Sequence, residues 1–496
     1  MNDQPNSIDD VWVGIDLGTQ SVRVLAVTGT GEVIGSGSRP LTSHRDGARH
    51  EQNPEQWWEA VAGAANDALR DVPAAAVRGV AVDATSGTIL LMDRDGRPLT
   101  PGLMYDDGRA ATEAARVNDA GADVWGELGY QRMQPAWALP KLLWLLREHQ
   151  DKVPGARLAH QNDFINRQLT GHDVPTDLSN ALKTGAHLIQ EKWPEELMQD
   201  LGVPAGVLPD LVRMGTRIGS VSSAAAAATG IPAGTPVIAG ATDGCAAQLG
   251  AGALKAGSWN SVLGTTLVLK GVTRDLIQDP LGVVYSHKAP NGDWLPGGAS
   301  STGAGAITRD FSGQDLARLE RQARAYEPAG VLAYPLVSRG ERFPFLAPGA
   351  EGFILGTPAT DGERYAAVLQ GIAYIERLCF DYLDLLGAPL HGELILTGGA
   401  TKSEYWCQLR ADILGRPVTL PQNAEPALGM AVLAASPGRQ TADVAAEMVR
   451  MRRRIDPRDG STGRYDASYL DLVKELEQRG WLPEAVAAHA RERTNA

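Results

Sequence analysis

The chain has 496 residues, of which 43% are hydrophobic, 21% are charged and 56 are glycine, so it has the composition of a globular protein with two large domains. Its formal net charge is −13, and no basic stripe carries interleaved aromatic residues, so we expect no nucleic-acid partner. No apolar stretch has the length of a membrane span, and the polar N-terminus MNDQPNSIDD lacks the pattern of a signal peptide, so we expect no membrane partner.

The first elements predict an antiparallel meander followed by alternating strands and helices. Val11–Asp16 and Arg23–Thr28 read as strands around a polar turn, and another turn follows at 29–31. A helix is predicted over Pro54–Arg70, with proline near its start and apolar residues at helical spacing. Strands at 79–83 and 88–93, then helices at 137–149 and 161–169, indicate an α/β layer.

The segment VIAGATDGCAAQLGAG, residues 237–252, carries the most informative acid of the chain. Asp243 follows an apolar run that reads as a buried strand, and small residues surround it. Small residues let a ligand approach the backbone, and a carboxylate at a strand end can accept a proton. Alternatively, Thr-Asp-Gly is a turn that starts a helix.

A second strand-rich region begins at Ser258–Lys270 and echoes the first. Leu-Gly-Thr stands between two predicted strands in DLGTQ (16–20) and again in VLGTT (262–266), which indicates two similar halves. A helix near 361–386, a strand at 392–397, a glycine loop at 398–400 and a helix from about 402 follow. We therefore predict an N-terminal domain over 11–255, a C-terminal domain over 256–440, and a helical extension over 441–496 packed on the second domain.

Four loops have the small and polar residues of a phosphate or nucleoside site. They are DLGTQSVR at 16–23, LGTT at 263–266, GGASSTGAGAI at 297–307 and LTGGATKSEYW at 396–406. Such loops present backbone N–H groups to phosphate oxygens, while an acid holds a metal through water. Each of them could instead be a polar turn, and Ser403 a helix N-cap.

Other kinds of site find no support in the sequence. It has no P-loop, no clean GxGxxG after a strand, no HExxH and no GxSxG. Cys245, Cys379 and Cys407 are far apart, which argues against a zinc site or disulfide framework and predicts a reducing cytoplasm.

With these residues in hand, the chain resembles the FGGY carbohydrate kinases, of the superfamily of actin, hexokinase and the 70-kDa chaperones. The resemblance runs over about residues 11–435 and rests on eleven segments in the family's order. They are GIDLGTQSVR, HEQNPEQWW, the strand pair around Ser86, YDDGR, QLTG, TDLSNALKTG, GATDG, LGTT, GERFPF, TGGATKSEYW and EPALGMAV. It implies an α/β fold of two actin-like, ribonuclease H-like ATPase domains with a cleft between them, and it is compatible with a homodimer.

The resemblance also implies roles for residues of this chain. Asp243 matches the family's catalytic acid, which takes the proton of a primary hydroxyl as that oxygen attacks the γ-phosphate of ATP. Asp16 would hold Mg²⁺. The residues implied at ATP are Asp16, Gly18, Thr19, Gln20, Arg23, Gly264, Thr265, Thr266, Gly303, Gly398, Gly399, Ala400 and Ser403. The residues implied at the sugar are Thr85, Ser86, Gly87, Tyr105, Asp107 and Asp243.

Departures from the family pattern bear on which sugar is the substrate. Ser86 stands where xylulose kinases of the family usually have a histidine, Tyr105 where they have a tryptophan, and Gly244 where an asparagine or glutamine is frequent. Smaller side chains remove hydrogen-bond partners that read hydroxyl stereochemistry. The DATSGT segment and 282–307 resemble the D-ribulose kinases first called xylulose kinase-like, so the sequence favours D-ribulose, followed by D-xylulose and then by L-ribulose or a pentitol.

Two functions of another class use the same fold. A catalytically silent sugar sensor is opposed by the presence of both Asp16 and Asp243. An actin- or chaperone-like ATPase that acts on proteins is opposed by the sugar-facing residues and by the lack of a peptide-binding or filament segment. A cytoplasmic pentulose kinase is therefore the function that the sequence predicts.

Overall fold

The computed structural model describes residues 10–495, so the N-terminal segment that the sequence analysis judged not to be a signal peptide lies outside it. The chain divides into two compact units. Unit 1 comprises the chain through Leu254 with His287–Trp294 and Asn423–Arg450, and unit 2 comprises Lys255–Ser286, Leu295–Gln422 and the chain from Met451.

The strands of the described residues are numbered in chain order. They are β1 (Val11–Leu17), β2 (Ser21–Thr28), β3 (Val33–Pro40), β4 (His44–Asp46), β5 (Arg49–Gln52), β6 (Val77–Ala84), β7 (Ile89–Met92), β8 (Gly102–Leu103), β9 (Arg157–His160), β10 (Thr176–Asp177), β11 (Leu211–Val212), β12 (Arg217–Ser220), β13 (Pro236–Thr242), β14 (Trp259–Leu263), β15 (Leu267–Gly271), β16 (Tyr285–Lys288), β17 (Trp294–Ala299), β18 (Leu332–Tyr334), β19 (Phe353–Leu355), β20 (Leu394–Thr397), β21 (Val418–Pro421) and β22 (Met451–Ile455).

The α-helices are numbered in the same way. They are α1 (Pro54–Leu69), α2 (Ala111–Glu127), α3 (Ala138–Glu148), α4 (Gln161–Thr170), α5 (Leu178–Ala181), α6 (Glu195–Asp200), α7 (Ser223–Thr229), α8 (Asp243–Ala251), α9 (Gly305–Asp310), α10 (Leu316–Ala323), α11 (Asp361–Leu385), α12 (Glu404–Leu414), α13 (Pro426–Ala434), α14 (Thr441–Met448), α15 (Asp466–Gln478) and α16 (Glu484–Asn495).

Unit 1 is built on a six-stranded sheet in the order β12-β13-β6-β1-β2-β3. The antiparallel meander β1-β2-β3 forms as predicted, and β6 and β13 extend it in parallel from β1. α1, whose N-cap is Asn53, packs on this sheet. Its apolar face includes the buried Trp57. The carboxyl ends of β1, β6 and β13 therefore meet at one edge of the sheet.

Unit 2 repeats this order in the seven-stranded sheet β16-β17-β15-β14-β20-β21-β22. β14 and β15 form an antiparallel hairpin, β17 follows β15 antiparallel, and β20 and β21 extend the sheet in parallel from β14. The two Leu-Gly-Thr turns therefore occupy equivalent hairpins, which confirms the two similar halves predicted from the sequence.

α13 and α14 lie in unit 1, although the sequence analysis placed residues 423–440 in the second domain and 441–450 in the extension. Glycines explain how closely α13 packs there. A Cβ on Gly14 of β1 would lie 1.8 Å from the carbonyl oxygen of Ala427, and one on Gly429 would lie 2.0 Å from that of Ala246 in α8. The backbones of β1, α13 and α8 are therefore in direct contact. Hydrophobic periodicity describes single elements, so it could not predict that α13 packs in unit 1.

The tail after residue 450 lies in unit 2 and is not wholly helical as predicted, because β22 pairs with β21 before α15 and α16. The long helix α11 forms the centre of unit 2, and its Glu376 makes a fully buried ion pair with Arg410 of α12. All three cysteines are buried, and none of them forms a disulfide. Within residues 10–495, the search for a helix long and apolar enough to cross a membrane finds none.

Candidate active site

Three acids of unit 1 lie at the carboxyl ends of three neighbouring parallel strands. Asp16 is on β1, Asp83 is on β6 directly opposite it in register, and Asp243 follows β13. Gly240 lets β13 reach this position, because a Cβ there would lie 1.8 Å from the carbonyl oxygen of Val82. The sheet therefore assembles a cluster of negative charge from distant parts of the sequence.

Asp243 is exposed and begins α8, so the turn and the helix start that the sequence allowed are both present. Its carboxylate accepts a hydrogen bond of 2.8 Å from the amide of Gly244. The partial positive charge of a helix N-terminus favours an ionised acid at this position. A carboxylate exposed at a strand end is suited to accept a proton from a bound hydroxyl.

Asp16 and Asp83 differ from Asp243 because both are largely or fully buried. Burial raises the pKa of Asp16 to about 6, and the charge of Asp243 adds to the increase. Burial also raises the pKa of Asp83 well above its usual range, with further increases from the charges of Asp16 and Asp243. No donor of the described residues reaches the carboxyl oxygens of Asp83, which agrees with a raised pKa for this acid.

This concentration of carboxylates fits a divalent cation held through water. Within residues 10–495, no group of three acidic, histidine or cysteine side chains is arranged to hold a metal ion directly. Mg²⁺ usually keeps several water ligands and needs only one or two carboxylates, with substrate phosphates completing its shell. Asp16, whose pKa is raised by burial and by the charge of Asp243, is the residue predicted to hold it.

The loop predicted to be the first phosphate loop is the hairpin between β1 and β2. Its turn closes with a hydrogen bond of 3.1 Å from the amide of Gly18 to the carbonyl oxygen of Ser21, and the side chain of Gln52 donates to the carbonyl oxygen of Thr19 at 2.7 Å. Gln20 is exposed at the tip. Arg23, which the sequence places near phosphates, makes an ion pair with Glu425, the residue before α13.

The turn after β6 carries the residues predicted to contact the sugar. The hydroxyl of Thr85 donates to the side-chain oxygen of Gln161 at 2.7 Å, so it is already engaged. The hydroxyl of Ser86 is buried and has no hydrogen-bond partner within the described part of the chain. Gly87 has a φ of +95°, a conformation that glycine adopts without strain. Ser86 is therefore the polar group of this turn that remains available to a ligand.

The segment after β8 holds the other predicted sugar contacts. Tyr105 is 41% exposed, whereas Asp107 is fully buried. The carboxylate of Asp107 accepts hydrogen bonds from the guanidinium of Arg109 at 2.8 to 3.1 Å and from the amide of His50 at 2.8 Å. Asp107 thus holds its own segment in place, and a direct bond from it to the sugar stays a prediction.

The loop predicted to be the second phosphate loop lies in unit 2, between β14 and β15. The exposed Thr265 is at its tip, Thr266 leads into β15, and the amide of Ala304 donates to the carbonyl oxygen of Gly264 at 3.0 Å. A Cβ on Gly303 would lie 2.4 Å from the carbonyl oxygen of Thr265. Gly303 is therefore required for the segment at 300–305 to pack directly on this loop.

The predicted nucleoside loop follows β20 in the same unit. Gly398 has a φ of +87°, and a Cβ on it would lie 2.6 Å from the carbonyl oxygen of Leu263, so this loop is next to the β14–β15 hairpin. Gly399 and Ala400 begin a 3-10 turn at 399–402. Ser403 caps α12 through the amide of Trp406, as the alternative interpretation of the sequence expected. Its hydroxyl also donates to Glu320 at 2.8 Å.

Three buried charged residues that support these loops were not predicted from the sequence. They are Asp83 opposite Asp16, Lys141 of α3 beside the sugar-facing turn, and Glu341 in unit 2. Glu341 accepts hydrogen bonds from the amide of Ser301 at 2.6 Å and from the hydroxyl of Ser300 at 3.1 Å. Asp83 belongs to the segment DATSGT and Glu341 to GERFPF, and both segments were quoted for the family resemblance. An acid within a segment that matches the family was therefore the signal that could have identified these two residues.

Comparisons with known proteins address the family and the fold of the chain. Residues 11–250 match the N-terminal domain of the FGGY family of carbohydrate kinases, and residues 260–437 match its C-terminal domain. A xylulose kinase of Streptomyces coelicolor is 32% identical, over 88% of this chain and 90% of its own length. One of Escherichia coli is 30% identical, over 86% and 89%. The crystal structure of a "xyloylose kinase" from Brucella ovis superposes with a TM-score of 0.87 at 26% identity, covering 95% of this chain and 99% of that one.

Proposed function

The chain belongs to the FGGY family of carbohydrate kinases, and from that premise we propose that it transfers the γ-phosphate of ATP to the terminal primary hydroxyl of a pentulose. The observation that carries the proposal is the row of Asp16, Asp83 and Asp243 at the carboxyl ends of β1, β6 and β13. Phosphoryl transfer needs a base at the attacking hydroxyl and cations at the phosphates, and this row offers carboxylates for both needs.

In the proposed reaction, Asp243 accepts the proton of the sugar hydroxyl. The hydroxyl oxygen forms a bond to the γ-phosphorus while the bond from that phosphorus to the β–γ bridging oxygen breaks, and ADP leaves with the electron pair. Backbone N–H groups of the loops at 18–20 and 264–266 bind phosphate oxygens, and the loop at 398–403 contacts the nucleoside. These roles come from the family resemblance and are supported by the position of each loop after a strand of its central sheet.

Mg²⁺ is the metal that the family implies, and Asp16 is the residue proposed to hold it. When bound with the nucleotide, it would neutralise charge on the phosphates. Asp83 lies directly opposite Asp16 in register, so the two carboxyl groups share this edge of the sheet.

D-xylulose is the substrate that we propose first, because the relatives named above are xylulose kinases. The sequence-based preference for D-ribulose receives no support from them. D-ribulose is retained as the second candidate because of Ser86, whose buried hydroxyl has no partner among the described residues and stands where the family's xylulose kinases usually have a histidine. A small hydroxyl and an imidazole present different hydrogen bonds to a sugar hydroxyl.

The test is a coupled ADP-release assay with ATP and magnesium on the four 2-ketopentoses and a set of pentitols. We expect turnover with a pentulose and the highest kcat/KM for D-xylulose. A clear preference for D-ribulose would reverse our order of substrates without changing the reaction. Release of ADP that is independent of every sugar would favour the ATPase alternative, and sugar binding without ADP release would favour the sensor.

A further inference from the structure

We propose that Lys141 is a positioning residue of the sugar site, and that its side chain fixes the Thr85–Thr88 turn against the segment that follows β8. This inference rests on the proposed function, since it concerns the segments that would contact the pentulose. Nothing in the family resemblance assigned a role to this lysine.

The side chain of Lys141 joins the two segments by hydrogen bonds. It is fully buried in the first turns of α3. Its Nζ donates to the carbonyl oxygen of Gly87 at 2.6 Å and to that of Met104 at 2.7 Å, with a longer contact of 3.4 Å to that of Leu103. Gly87 follows Ser86 directly, and Met104 precedes Tyr105 directly. One ammonium group therefore bridges the backbone next to two residues predicted to face the sugar, close to where Ile89 of β7 pairs with Leu103 of β8.

Beyond the pairing of β7 with β8, each of the two segments has further bonds of its own. The side chain of Lys183 donates to the carbonyl oxygen of Ser86 at 3.0 Å, and Gln161 accepts from the amide and the hydroxyl of Thr85. On the other side, the bonds of Asp107 with Arg109 and His50 fix the segment after β8. Each of these bonds holds only one of the two segments. Loss of Lys141 should therefore change the position of one segment relative to the other more than the shape of either.

A buried ammonium group is costly, which favours a role that needs its charge. Donor–acceptor distances of 2.6 and 2.7 Å are typical of charged donors, and an ammonium group offers three N–H bonds where a neutral amine offers two. Burial lowers the pKa of Lys141 to about 7. Lys183 and Arg109 act in the same direction, while Asp107 and Asp106 oppose them. The strength of the connection should therefore fall as the pH rises through neutrality.

The experiment compares Lys141→Met with Lys152→Met. Met keeps the length of the side chain and removes its donors. Lys152 is a matched control because its Nζ also donates to one backbone carbonyl, that of Leu99 at 2.9 Å, away from both segments. For Lys141→Met we expect KM for the pentulose to rise at least about tenfold, with KM for ATP and kcat within about threefold. An unchanged sugar KM in a folded variant, or an equal rise in both KM values, would overturn the proposal.

The pH profile of the unmodified protein is the second measurement, and it remains available if Lys141→Met does not fold. We expect its KM for the pentulose to rise at least about threefold between about pH 6 and about pH 8.5, and the same rise in Lys152→Met. A sugar KM that is flat over this range would contradict the proposal.

Hydrogen–deuterium exchange separates this inference from the proposed function. We expect faster exchange at residues 85–90 and 104–109 in Lys141→Met and not in Lys152→Met, whether or not any pentulose is a substrate. Failure of every sugar in the kinase assay would remove the proposed function, whereas unchanged exchange in both segments would remove the positioning role.

Discussion

Replacing Asp243 by Asn removes the proposed proton acceptor with little change of shape. The Asn side chain has nearly the same size, and its oxygen can still accept the amide of Gly244 where the carboxylate now does. Asp243 is exposed at the start of α8, so the substitution is made outside the hydrophobic core. We therefore expect Asp243→Asn to fold normally and to bind nucleotide and sugar within a few-fold of the unmodified protein.

The expected loss is in kcat. A positioned general base contributes about 10²- to 10⁴-fold, which corresponds to about 3–5 kcal/mol of transition-state stabilisation. The change should not impair Asp16, because the charge of Asp243 raises the pKa of Asp16 and its removal favours the ionised form. The loss would therefore report the missing base and not a protonated neighbour.

The assay is steady-state ADP release with the preferred pentulose, together with titration of ADP and sugar binding. Asp443→Asn is the matched control, since Asp443 is also an exposed acid in the first turn of a helix of unit 1. We expect full activity in that variant. Turnover by Asp243→Asn within about tenfold of the unmodified protein would refute the base role, and a large loss of sugar or ADP binding would assign Asp243 to binding instead.

Three further changes test the loops and the core of unit 2. Thr265→Val should raise KM for ATP far more than KM for the sugar, and an equal rise in both would refute the loop assignment. Gly303→Ala should also raise KM for ATP, because its Cβ would lie 2.4 Å from the carbonyl oxygen of Thr265, whereas Gly349→Ala, where no atom lies within 4 Å, should leave both KM values unchanged. Arg410→Met should lower the free energy of unfolding by about 3–5 kcal/mol in urea denaturation, because Glu376 would be left buried without a cation, and a loss below about 1 kcal/mol would contradict this.

Local signals in the sequence predicted the hairpins and many of the helices. The turn at Gly18, the helix that begins at Pro54 and the long helix α11 depend on neighbouring residues, so turn chemistry and periodicity were enough. The Asp16–Asp83 contact was not predictable in this way, because it depends on the register of two strands separated by about sixty residues of chain.

Lys141 was missed for a different reason. It stands in PKLLWLL, where a lysine between apolar residues is usually on the solvent face of an amphipathic helix. Its burial follows from acceptors contributed by β8 and by the turn after β6, which the pattern of α3 does not report. The placement of α13 in unit 1 likewise depends on glycine contacts between distant segments.

The two similar sheets carry different chemistry at equivalent positions. Asp16 and Asp83 are partners across β1 and β6, and the corresponding partners across β14 and β20 are Val262 and Thr397. A carboxylate repels phosphate oxygens unless a cation lies between them. The acids of unit 1 thus suit a cation and the proton of a hydroxyl, whereas the neutral pair of unit 2 suits direct contact between backbone N–H groups and the phosphates. This difference between two similar sheets is compatible with the proposed transfer of a phosphoryl group from a polyanionic nucleotide to a sugar.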